Sequence, residues 1–199
     1  MTSVVIFVIL LFWFIKRSAK KSRDEIEAFV NRENEANSTR KQPIDGLPYI
    51  KIPEELFSIK YSDSAKMQEV MRSLNFLKDK KILNLTGISN TDLKLQYGAA
   101  NLPELSECDE RYTLLVRTLQ NFAECLLEEN SEQDAVRVLE FSVSTGCDAL
   151  RSYTLLADYY SKTGAFEKIN ELKEKAAGLN SLTAPSIMRM LENKSAAPN

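Results

Sequence analysis

Catalysis needs a base, a nucleophile or a ligand set, and this chain is poor in all three. Its 199 residues include no histidine. That removes the commonest general base and the commonest metal ligand, and it excludes Ser-His-Asp and Cys-His catalysis. The three cysteines, Cys108, Cys125 and Cys147, form no CxxC and lie in apolar helical contexts. They read as small buried hydrophobes in a reducing compartment. Cys108 is nearest a helix start, but Glu107, Asp109 and Glu110 around it disfavour a thiolate. The carboxylates gather in runs such as Glu128-Glu129 and Glu171/Glu174, the pattern of solvated helix faces. The stretch GISNTD, Gly87 to Asp92, has the small residues of a ligand loop without a GxGxxG or P-loop pattern, so it reads as a capping turn. The expectation is no catalytic residue, no metal, no cofactor and no enzyme activity.

Charge is unevenly spread. Lys16 to Arg23 holds five bases and no acid, whereas Leu102 to Asn180 holds 15 acids and 8 bases. An acidic domain repels phosphate backbones, which argues against nucleic acid and for a basic or mixed-charge protein surface. Twelve apolar residues, Val4 to Ile15, precede the basic cluster. No base precedes the run and no small-residue cleavage site follows it, so it is a poor secretory signal. A helix of that length rises about 18 Å against a hydrocarbon core of ~30 Å. Its composition nevertheless favours insertion, and Lys16 and Arg17 are placed to snorkel. It shows no polar stripe, as a soluble helix would. The expectation is a single transmembrane anchor contacting the membrane through residues 3–23, with the C-terminal domain cytoplasmic by the positive-inside rule.

The elements that follow must position any site. The domain plan is an anchor with its basic flank over 1–21, a polar helical linker over 22–45, an extended segment with capping helices over 46–108, and a helical domain over 109–194. From Pro43 onward, Pro43, Pro48 and Pro53 forbid a helix until after Ile52. Ser62 or Asp63 is placed to cap a helix whose Met67, Val70, Met71, Leu74 and Leu77 share one face. Ile82 to Leu85 reads as a short strand or a buried connector, and Asn90 or Thr91 as the cap of a helix from Asp92 to Tyr97. Sequons stand at Asn37, Asn84 and Asn193. They matter only on the lumenal side of a membrane.

Beyond Asp109 the pattern is helical throughout. Phe122–Glu140 aligns without gaps on Leu156–Glu174, an offset of 34 residues. Ala123 falls on Ala157, Leu126 on Tyr160 and Val138 on Leu172, while Asn130 falls on Gly164, both suited to a left-handed helix end. The second unit resembles a tetratricopeptide repeat at Tyr153, Leu156, Ala157, Tyr160, Gly164, Phe166 and Ala176. It departs at Ile169, at Lys173 and in lacking the terminal Pro. Thr183 and Pro185 open a C-terminal capping helix with Ile187, Met188 and Leu191 on one face.

The fold class expected is therefore all-α: the anchor helix plus a tetratricopeptide-like domain. The resemblance implies a partner-binding groove lined by the first helix of each pair. Carried across by position, it consists of Arg117, Gln120, Glu124, Leu127 and Glu128, then Arg151, Thr154, Asp158, Ser161 and Lys162. The function that follows is a membrane-anchored cytoplasmic scaffold or adaptor for a protein or peptide partner, with neither nucleic acid nor a small-molecule substrate. A structural subunit of a larger membrane complex is an alternative reading, and an enzyme using carboxylates or lysine a more distant one.

Overall fold

A computed structural model describes residues 2–195, without the side chains of residues 2–12, 14, 15, 18 and 19. Among the described residues all regular structure is helical and there is no strand. The helices are α1 (Thr2–Ser38), α2 (Glu54–Phe57), α3 (Ala65–Leu77), α4 (Asn90–Tyr97), α5 (Leu102–Glu128), α6 (Glu132–Ser144), α7 (Leu150–Thr163), α8 (Phe166–Ala177) and α9 (Ala184–Ser195), with a 3₁₀ turn at Ala99–Asn101. The chain divides into two compact units, Met1–Asp45 with Ile88–Pro103, and Gly46–Gly87 with Glu104–Asn199.

The membrane expectations fail. Among the described residues no helix is long and apolar enough to cross a membrane. This overturns the single transmembrane helix, the single-pass membrane address and the topology with a cytoplasmic C-terminal domain. Length decides it. The apolar run supplies about 18 Å of helix where a span needs ~30 Å. Beyond Ile15, α1 continues through Lys16, Arg17, Lys20 and Lys21, so widening the window only adds charge. Most side chains of the run itself, and residues 196–199, lie outside the described residues.

In the first unit, α4 packs on the C-terminal part of α1, where Ala36 and Leu93 are buried. The cap of α4 is Ser89, one residue before the expected Asn90, and its hydroxyl accepts the Asp92 N–H. Arg32 pairs with Asp92, and Lys94 with Glu33. The Asn101 side chain donates to the Gln42 and Tyr97 carbonyls at 2.7 and 2.6 Å. Gly98, at φ 85°, lies so close to the Arg40 backbone that a Cβ would come within 2.5 Å of its carbonyl oxygen.

In the second unit the five apolar residues expected on one face of α3 are all buried. Ser64 caps that helix, accepting from Met67 N–H, while Ser62 instead reaches Glu129. Ile82–Leu85 is a buried connector, not a strand. Leu83 N–H donates to the Cys108 carbonyl, and Leu85 N–H to the Asp109 carboxylate. The Asn84 amide nitrogen lies within hydrogen-bond distance of the Tyr112 hydroxyl and the Thr145 and Gly146 carbonyls.

Helices α5 to α9 recur with the 34-residue offset. Helix α6 starts at Glu132 and α8 at Phe166; α7 starts at Leu150 and α9 at Ala184. The turns recur bond for bond. Asn130 (φ 60°) and Gly164 (φ 75°) both take the left-handed conformation. Ser131 N–H donates to the Leu126 carbonyl, and Ala165 N–H to the Tyr160 carbonyl, each at 2.8 Å. This six-to-one bond closes a helix end whose carbonyls would otherwise go unpaired. Ala123, Ala135, Ala157 and Ile169 are fully buried in one core cluster with Tyr153, Phe122 and Leu156.

Asn130→Ala and Gly164→Ala should each cost about 1 kcal/mol in urea unfolding, because both force a Cβ of unsuited type into left-handed backbone. Asn130→Gly should be neutral or stabilising. The first unit should respond to acid. Hydrogen bonds from Lys94 and Thr91 hold the Glu33 carboxyl below its ordinary range; Ser89, with Arg32 beside it, does the same for Asp92. A carboxyl depressed in the folded state contributes stability above its unfolded pKa and loses it as pH falls. Protection factors of the α4 amides should therefore decline between about pH 5 and pH 2, and Glu33→Gln should flatten that decline.

Candidate partner-binding face

The expected groove residues sit on α5 and α7, and the charges of Glu124, Glu128, Arg151, Asp158 and Lys162 are engaged across helices. Glu124 bonds Arg151 at 3.2 Å, joining α5 to α7. Asp158, 34 residues after Glu124, pairs with Lys194, joining α7 to α9. Each acid thus reaches a base on the next helix of the row. Glu128 takes Lys66 of α3 at 3.0 Å, and Lys162 takes Glu132 of α6 at 2.8 Å. Both lysines are held above their ordinary range, chiefly by those carboxylate hydrogen bonds. Thr154 spends its hydroxyl on the Leu150 carbonyl of its own helix. Ser161 has a buried hydroxyl without a partner, Gln120 is half-buried, and Arg117 is exposed.

Three of the ten residues converge. Leu127, Asp158 and Lys162 line a cleft of ≈ 170 Å³ between α6 and α7, together with Val136, Leu139, Leu155 and Tyr159. On α7 these lining residues fall at i, i+3, i+4 and i+7, and Glu132, Ala135, Val136 and Leu139 do the same on α6. The cleft is apolar, with charges at its edge. Its volume is close to the ~150 Å³ of an apolar cavity that admits benzene, room for one aliphatic or aromatic side chain. Arg117 does not join it. It lines a separate, more polar cleft against α3, with Lys66, Val70 and Leu114.

Val136, Leu139, Leu155 and Tyr159 were not among the expected residues. The signal for two of them lies in the sequence: Leu155-Leu156 and Tyr159-Tyr160 make the apolar arc of α7 wider than one core contact requires. Leu156 and Tyr160 face the core, leaving Leu155 and Tyr159 half-buried. The Tyr160 hydroxyl donates to Glu140 at 2.6 Å, and burial followed by that carboxylate pushes its pKa up, so it remains a neutral donor.

Among the described residues no three histidine, cysteine or acidic side chains are grouped to hold a metal. The cleft's carboxylates, Glu132 and Asp158, each face a lysine rather than one another. Cys108, Cys125 and Cys147 are free and buried, and for Cys108 and Cys125 burial is the chief cause of a raised thiol pKa. Compared with known protein families, characterised proteins and solved structures, the chain matches none.

The Glu124–Arg151 pair is half-exposed, so solvent screens it. A double-mutant cycle with Glu124→Gln and Arg151→Gln should return a coupling of about 0.2–1 kcal/mol. A larger value would mean that the pair is structural and closed to exchange with a partner's charge.

Proposed function

We propose that this chain is a non-catalytic adaptor that binds a peptide segment of a protein partner at the cleft between α6 and α7, beside the ion pairs that α7 makes with α6 and α9. The observation that carries the proposal is the apolar cleft between α6 and α7 with exchangeable ion pairs at its edge. A partner's apolar side chain in the cleft would contribute about 1.5–3 kcal/mol from burial. Its flanking charges would exchange with Glu132, Lys162, Asp158 and Lys194. Bases and acids alternate along this face, so the reading favours a mixed-charge segment over a purely basic one. The 34-residue recurrence of the turns supports the tetratricopeptide-like reading, in which the first helices of successive pairs carry the partner.

Selection of a displayed peptide library on the full chain tests this. The expected winners carry one large apolar residue flanked by charges of both signs. Leu155→Asp combined with Tyr159→Ala should weaken them at least tenfold, while Lys175→Glu on the exposed side of α8 should leave them unchanged. Winners that bind both variants as well as the parent would place the docking surface elsewhere.

A further inference from the structure

On α1, Ser22, Ile26, Phe29, Val30, Glu33 and Ala36 lie on one face, at i, i+4, i+7, i+8, i+11 and i+14. Helix α4 uses the C-terminal end of that face: Glu33 bonds Lys94 and Thr91, and Ala36 is buried. The next two turns toward the N-terminus carry the same face uncovered, with Ile26 60%, Phe29 63% and Val30 46% exposed. The residues Lys20, Lys21, Arg23, Asp24, Glu25 and Glu27 all flank it. An apolar stripe bordered by charge is the pattern of a helix that pairs.

The order of the charges selects the occupant. Five bases and no acid fill Lys16 to Arg23; five acids and one base fill Asp24 to Glu35. Two parallel copies in register would set bases against bases. Two antiparallel copies crossing near Asp24 set the basic block of each beside the acidic block of the other. The same crossing brings each Ile26 over the small Ser22 of the other copy, a large-against-small match that lets the backbones approach. We propose that this stripe is a self-association surface, on which α1 of a second copy of the chain docks antiparallel. Three apolar side chains per helix bury little area, so the pair forms reversibly and is sensitive to salt. The proposal is independent of the peptide-binding face, which lies in the other unit.

Sedimentation of the full chain over a concentration series tests it. The expected result is a monomer–dimer equilibrium that shifts to monomer at high salt. Ile26→Glu with Phe29→Glu, which leaves Val4–Ile15 untouched, should abolish the dimer; association that survives this change overturns the proposal. Orientation is read by oxidative cross-linking, for which the three native cysteines are buried. Ser22→Cys and Ile26→Cys should cross-link when mixed and not when alone. Self-cross-linking of Ser22→Cys by itself, or a chain that is monomeric at every concentration and salt, would equally overturn it.

Discussion

The helical unit depends on two backbone hydrogen bonds, from Ser131 to Leu126 and from Ala165 to Tyr160. Each lets a helix stop and reverse within a few residues without stranding its last carbonyls. The two turns share one conformation, with Asn130 and Gly164 both left-handed at a helix end. Ala123 and Ala157, 34 residues apart, are both fully buried, whereas the buried Ala135 is matched by the larger Ile169. The first helices are left with a face that is free to carry charge.

Much of this was legible. The 3.6-residue period exposed the buried face of α3, and the alignment of Asn130 with Gly164 located both turns. Helix starts were read less well, because Ser62, Asp63 and Ser64 are all capping types. What separates them is that Ser62 is taken by Glu129, 67 residues away in sequence. The closeness of Gly98 to Arg40 is likewise a contact between distant segments that local pattern does not encode. The anchor failed for a different reason. The run has the composition of a span without its length, and the residues that would extend it are charged.

The groove residues show what position alone conveys. Their places on α5 and α7 follow from the period, but the pairing of their charges does not. Counted over Leu102 to Asn180 the domain is strongly acidic, yet Asp158 is answered by Lys194, which lies beyond that window. Glu128 is answered by Lys66, which lies before it. Regional charge therefore overstated the field that a partner would meet. The apolar cleft was missed because its residues sit beside core residues of the same type.

The Asn84 side chain has a consequence beyond its packing. Its amide nitrogen, the atom to which an N-linked sugar is attached, here divides its two protons among the Tyr112 hydroxyl and the carbonyls of the α6–α7 turn. Asn37 and Asn193, by contrast, are exposed. Of the three sequons, the one at Asn84 is thus the one whose amide protons are engaged by the fold, on a half-buried side chain. An oligosaccharide added there during synthesis would have to be accommodated by giving up the bonds that tie the connector to the helices. The acceptor motif and the native state at Asn84 compete for the protons of one nitrogen.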